Sequence, residues 1–448
     1  MSVLSYSENM IRFKALIFLS GLLFSSFVYG QTTKDANNFA QSMIEGKYGK
    51  AYKQFDKSAR KKIKRPMLGL IWKGVTKQYG DVQAIGDFKK SQSGKSTVFS
   101  APLRFENIGL NLVLSYGKSG KLSGFTFTAL DYQVPEYATN IAFGTEKLTV
   151  TTDTFELPAE VVLPNNCIKC PIVILVHGSG ASDKDEGSRL SPNKVFRDLA
   201  YGFAVNGIAS LRYDKRTYVY RTPESYTDSM TIYDETIYDA LSAIRLAKSL
   251  DYVDTNNVFV LGHSLGAYAA PLIAKAGKPK GIIMMAGPYR PLFEIIPEQY
   301  EFLFNRDSNL TKKEETMIQT ARAEIELIYG RETTVDSLSV LGQSSMMRYY
   351  QQMISYDPAE VVLENAEEDG IRTLIIQGDR DYQVRNETEF ATYEQKLAKT
   401  PRVDLKLVHG LNHQMINGES PSSPDEYFEP ANVDIEAIRY MADWMKRK

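Results

Sequence analysis

From Ile172 onward the chain alternates between short, almost wholly apolar runs and longer stretches with apolar residues at helical spacing. The runs are Ile172–Val176, Gly207–Leu211, Val258–Leu261, Ile282–Ala286, Thr373–Ile376 and Val403–Val408. Strands with no polar side belong to a mostly parallel sheet buried under helices on both faces, an α/β architecture. Ile237, Ala240, Leu241, Ile244 and Ala247 form the apolar stripe of one intervening helix. Another helix is expected from Leu265 toward Ala276, with Pro271 kinking or restarting it. Ahead of this region, Glu146–Leu163 reads as a β-hairpin at the sheet edge.

The first part of the chain follows another pattern. Phe39, Met43, Ile44, Tyr48, Ala51, Tyr52 and Phe55 keep helical spacing, and Gly46 divides them into two short helices. The basic run Arg60–Arg65 reads as a solvated face, with Leu70 and Trp72 of the next helix placed to pack against it. From Thr97 the period becomes two. Leu110, Leu112 and Leu114 alternate, Gly117–Gly120 turns, and Phe125, Phe127 and Ala129 alternate again. Helices followed by a meander predict a small α+β domain over 31–130, a linker over 131–145 and the α/β part over 146–448. Between Ala286 and Thr373 the strand rhythm is interrupted by helical patterns such as Leu310–Tyr329 and Ser344–Tyr356. A helical cap over the strand C-termini, at about 288–370, is expected there. Its Met346, Met347, Tyr349, Tyr350 and Met353 either line an acyl pocket or pack the cap.

Composition narrows the partners. The 448 residues are 43% hydrophobic and 24% charged with a net charge of −1, so neither nucleic acid nor an anionic membrane is indicated. Arg12 and Lys14 precede an apolar run from Ala15 to Val28 that ends near small residues, which reads as a signal peptide over 1–30. The run is shorter than the roughly 20 residues that span a bilayer, so export to the periplasm or outside is expected over an uncleaved anchor. Cys167 and Cys170 are the only two cysteines and cannot fill a four-ligand zinc site. A local disulfide suits an oxidising compartment, two separate thiols being the alternative.

The chemistry centres on Gly262-His263-Ser264-Leu265-Gly266, set between an apolar strand and a helix. There a serine is held at a tight turn with its hydroxyl exposed. Such a nucleophile needs a histidine to take its proton and an acid to orient that histidine. On this arrangement the chain order is serine, acid, histidine. Of the four histidines, His177 and His263 precede Ser264, leaving His409 and His413. His409 ends a strand, whereas His413 lies on the following loop, where a base can reach across strand ends. Asp379 and Asp381, after the strand Thr373–Ile376, compete as the acid. Oxyanion donors are expected from the amide of Leu265 and from the loop His177-Gly178-Ser179-Gly180, with Ser179 preferred and Gly178 the near alternative.

Taken together, His177–Gly180, Gly262–Gly266, Gln377–Val384 and Leu411-Asn412-His413 resemble the α/β-hydrolase superfamily. More closely, with Asp183-Lys184-Asp185-Glu186, Tyr213-Asp214-Lys215-Arg216 and Tyr356-Asp357-Pro358, the chain resembles bacterial exported carboxylesterases that carry a small N-terminal domain. The resemblance runs from about Glu146 to the C-terminus and implies Ser264, Asp381 and His413 as the triad. The N-terminal part is similar to the small domain of those esterases and to a cone-shaped nuclear-transport-factor-like fold. Arg216-Thr217 departs from the Arg-Gly usual in related chains, which bears on that loop's conformation.

The expected activity is hydrolysis of short-acyl carboxylic esters, acetylated carbohydrate among them, with no cofactor and no metal. A serine peptidase or acyltransferase would use the same triad. A non-catalytic envelope-binding protein on a hydrolase scaffold is the alternative from another class.

Overall fold

The computed structural model describes residues 32–187, 191–221, 230–330, 338–341, 347–420 and 422–447. The leader read at 1–30 and Met346 lie outside the described residues, as does the side chain of Met347. Among the described residues, no helix is long and apolar enough to cross a membrane.

Two sheets organise the chain. Strands β1 (Val82–Ile85), β2 (Lys89–Ser93), β3 (Ser96–Phe105), β4 (Gly109–Tyr116) and β5 (Leu122–Ala129) form an antiparallel sheet in which β1 and β2 both pair with β3. Helices Thr33–Ile44 and Arg65–Tyr79 supply aromatic contacts to it: Phe39 meets Phe55 and Phe125, and Trp72 meets Phe105 and Phe127. Leu70 does not join this packing and is 69% exposed. The buried stripe of its helix runs through Leu68 and Trp72, four residues apart, and a residue midway falls on the opposite side.

The second sheet has the order β13-β12-β11-β10-β8-β9-β7-β6. Its strands are β6 (Gly144–Thr152), β7 (Phe155–Leu163), β8 (Cys170–Val176), β9 (Ala209–Tyr213), β10 (Val253–His263), β11 (Gly281–Met285), β12 (Arg372–Gly378) and β13 (Val403–Val408). The six from β8 to β13 are parallel, while β6 and β7 form an antiparallel hairpin on the β9 edge. Alternation divides each buried strand between two cores. Ile172, Ile174, Val258, Val260 and Ile282 face one side, whereas Val173, Leu175, Phe259, Leu261 and Ile283 face the other. Helices Tyr238–Ser249 and Leu265–Gly277 cover the first side, and helices Val195–Val205 and Ile435–Lys446 the second. The helix after the elbow is continuous from Leu265 to Gly277 with Pro271 inside it, rather than restarting there.

Helices Leu292–Phe304, Lys312–Gly330 and Met347–Met353 follow β11. Tyr349, Tyr350 and Met353 are buried in the main core, so they pack rather than open a pocket. Helix Pro358–Glu368 lies against the elbow helix, where Asn365 Nδ2 donates to the Pro271 carbonyl at 2.9 Å. Residues between the sheets are anchored: Tyr132 Oη donates to Asp198 at 2.6 Å, and Asn432 Nδ2 to the Gln133 carbonyl at 2.8 Å. Arg104 of β3 grips Glu429 with two hydrogen bonds of 2.6 and 2.8 Å. Cys167 and Cys170 are joined in a disulfide at the start of β8.

Candidate active site

Because β8 to β13 are parallel, their C-termini meet at one edge. The chain order reverses beside β8, which has β9 on one side and β10 on the other, and such a reversal opens a crevice at those ends. His177 and Gly178 leave β8, Ser264 leaves β10, Asp381 follows β12 and His413 follows β13.

Ser264 sits at φ 54°, ψ −116°, outside the conformations an L-residue prefers. Its amide donates to the Met285 carbonyl at 3.0 Å, and its own carbonyl accepts from Ala267 and Tyr268, starting the helix. The two flanking glycines are sterically required. A Cβ on Gly262 would lie 2.1 Å from the Gly266 oxygen, and one on Gly266 would lie 2.3 Å from the Val176 oxygen. The amide of Leu265, at the first turn of this helix, has no acceptor within it.

The two competing acids take two different histidines. Asp381 Oδ2 faces His413 Nδ1 at 2.6 Å, both residues being buried. Asp379 instead pairs with His409, whose side chain is 97% exposed. Asp381 is held by three further donors. Gln377 Nε2 reaches Oδ2 at 2.8 Å, while the amides of Gln383 and Val384 reach Oδ1 at 2.8 and 3.0 Å.

His413 is tied to the elbow through its main chain. His263 Nε2 donates to the His413 carbonyl at 2.9 Å, and the two rings are 4.8 Å apart. The other nitrogen of His263, Nδ1, meets Glu186 Oε2 at 2.9 Å. Burial alone would push the His263 imidazole down, but the adjacent Glu186 carboxylate raises it above its ordinary value. Burial likewise opposes the Glu186 charge, and His263 holds that carboxyl below its usual range.

The loop after β8 is fixed by the same carboxylate. Glu186 Oε1 accepts from the Gly178 amide at 2.7 Å, so Gly178, the near alternative as oxyanion donor, already has its amide engaged. The Gly178 carbonyl accepts from the buried Lys215 Nζ at 2.8 Å, and Lys215 also pairs with Glu235 at 2.5 Å. Ser179 is the next residue on this loop. Thr217 takes its place in a one-turn helix, Arg216–Val219, without a left-handed φ, so the Arg-Thr sequence needs no glycine. Arg216 Nε donates to Asp239 at 2.9 Å and stacks on Phe155.

Sequence reading did not single out Gln377, Glu186, His263 or Lys215 for function. All four belong to segments that carried the family resemblance, which was the available signal. Glu186 and His263, His263 and His413, and Lys215 and Gly178 are distant in sequence and come together only on folding.

A parallel sheet with a serine elbow at its crevice and an acid–histidine pair beside it defines a hydrolase of the α/β class. Residues 173–429 match the family described as the alpha/beta hydrolase family, and residues 36–125 match a family of unknown function, DUF3887. The chain is 31% identical over 432 residues to Esterase EstD of Thermotoga maritima, covering 96% of this chain and 98% of that one. Among solved structures it is similar to Est1E from Butyrivibrio proteoclasticus, at 19% identity and TM-score 0.42, over 67% of this chain and 99% of that one. The chain belongs to the α/β-hydrolase family and is a hydrolytic enzyme.

Proposed function

We propose that this enzyme is an exported carboxylesterase acting on short-acyl esters through Ser264, His413 and Asp381. The observation that carries the reading is the buried His413–Asp381 pair, whose His413 carbonyl is hydrogen-bonded by the residue before Ser264. In the reaction His413 takes the proton of Ser264 Oγ as that oxygen attacks the acyl carbon. The Leu265 and Ser179 amides stabilise the resulting oxyanion, and His413 returns the proton to the departing alkoxide. Water, deprotonated by His413 in its turn, then hydrolyses the acyl-enzyme. Asp381 keeps the His413 Nδ1 proton in place and stabilises the imidazolium. The name of the Thermotoga relative, an esterase over nearly the whole chain, supports esters as the substrate class.

The test is hydrolysis of p-nitrophenyl acetate, butyrate and octanoate by the mature chain beside Ser264→Ala, with fluorophosphonate labelling of both. Turnover and labelling should vanish with Ser264, and rates should fall from the short esters to octanoate. Turnover indifferent to Ser264→Ala would overturn the mechanism.

A further inference from the structure

The segment Asp183-Lys184-Asp185-Glu186 has no part in the triad, yet every one of its residues is fixed, Lys184 by its amide donating to Asp214 at 2.8 Å. Asp183 Oδ1 accepts from the amides of Asp185 and Gly187, both at 3.1 Å, and the Glu186 amide donates to the Asp183 carbonyl at 2.9 Å. Asp185 is pinned by Arg197 and by the fully buried Arg212. Glu186 itself has φ 53°, a strained backbone for a residue with a side chain. All this delivers one carboxylate to two places, the Gly178 amide and His263 Nδ1.

We propose that Glu186 and a cationic His263 form a positioning clamp that fixes the oxyanion loop, the nucleophile elbow and the main chain of the base relative to one another. The inference rests on the esterase reading of Ser264 and His413. The geometry at His263 carries it. One ring nitrogen faces the His413 carbonyl, which can only accept, so Nε2 bears a hydrogen. The other faces a carboxylate whose second oxygen already receives the Gly178 amide, which favours the ionised acid and leaves the proton on Nδ1. His263 is therefore an imidazolium held between two acceptors.

Surrounding charges fit this state. Glu186 meets the ring directly, and Asp381 adds a second negative charge beyond His413. His177, also close to Glu186, donates Nε2–H to the Asp183 carbonyl at 2.9 Å, packs against Phe196 and Tyr213, and is neutral. Lys215 holds the Gly178 carbonyl, which shares its peptide plane with the Ser179 amide, while Glu186 holds the Gly178 amide on the preceding plane, so neither plane can rotate without breaking a charged contact. The clamp thereby sets the direction in which the next amide, that of Ser179, points.

The test pairs a charge measurement with kinetics. With only four histidines in the chain, selective ¹⁵N-histidine labelling allows each ring to be followed by pH titration. In the unliganded wild type, His263 should keep both ring protons at a pH where an ordinary histidine has lost one. Glu186→Gln should return its midpoint to about 6.5 or below. It should lower kcat by roughly ten- to a hundredfold with KM little changed, as expected for misplaced catalytic groups. Its kcat–pH profile should gain an ionisation absent from the wild type. An ordinary titration of wild-type His263, or a Glu186→Gln enzyme with unaltered kcat and pH profile, would overturn the clamp. If turnover instead survives Ser264→Ala, the esterase mechanism fails, while the charge on His263, measured without substrate, is judged separately.

Discussion

Gln377 donates its side-chain amide to Asp381 at 2.8 Å, on the same oxygen that faces His413, and donates to the Val384 carbonyl at 2.9 Å. Gln377 lies within β12 and Asp381 four residues on, so the strand end itself orients the carboxylate that faces His413. Replacing Gln377 by Leu removes one donor from Asp381 and leaves the buried Val384 carbonyl without this partner. We expect kcat to fall by about tenfold with KM nearly unchanged, because the interaction acts on His413 rather than on substrate. Steady-state kinetics on p-nitrophenyl acetate would show it, and an unaltered kcat would remove Gln377 from the site.

The two acid–histidine pairs predict opposite outcomes for parallel substitutions. On the proposed mechanism His413→Gln removes the base and Asp381→Asn offers the His413 ring an amide, so each should lower kcat by at least roughly 10³-fold. His409→Gln, altering an exposed ring, should leave kcat within about twofold, since surface pairs contribute little. Equal losses at His409 and His413 would contradict the separation of the pairs.

Two glycines give a contrast in stability. In Gly266→Ala the new methyl would stand 2.3 and 2.6 Å from the carbonyl oxygens of Val176 and His177, both rigid backbone. A loss above roughly 3 kcal/mol, or insoluble expression, is expected. Gly74 lies inside helix Arg65–Tyr79, and a methyl added there would have nothing within 4 Å, so Gly74→Ala should stabilise by about 0.5–1 kcal/mol. Denaturant midpoints for the two variants test both signs.

Stability should also fall in acid for a reason traceable to one ring. Burial pushes His177 down to about 4, with Glu186 opposing and Lys215 assisting. Its folded value is below the ordinary one of about 6.5, so the unfolded chain binds more protons between these limits. The stabilisation is therefore present above pH 6.5 and lost as pH falls toward 4, by up to about 3 kcal/mol. His263 has the opposite shift, and its stabilisation is complete below pH 6.5, so it adds no slope in this window. His177→Gln, able to donate to the Asp183 carbonyl, should flatten the acid limb of melting temperature against pH. Parallel curves for wild type and variant would contradict the assignment.

Much of this protein is determined by the sequence alone, because its signals are local. Apolar runs from Ile172 to Val408 specify buried parallel strands, and Gly262 and Gly266 flank a serine turn that no larger residue permits. Even the order serine, acid, histidine restricts the base to His409 or His413. Tertiary structure alone decided how those groups pair. Asp379 and Asp381 are near neighbours of equal chemistry, and only the course of the chain beyond β12 turns one to exposed His409 and the other to buried His413. Gly178 and Ser179 are likewise adjacent amides, separated by the carboxylate of Glu186 taking the first. Composition and spacing could not anticipate that contact, since Glu186 lies eight residues beyond Gly178 and reaches back to it only through the fold of the loop after β8.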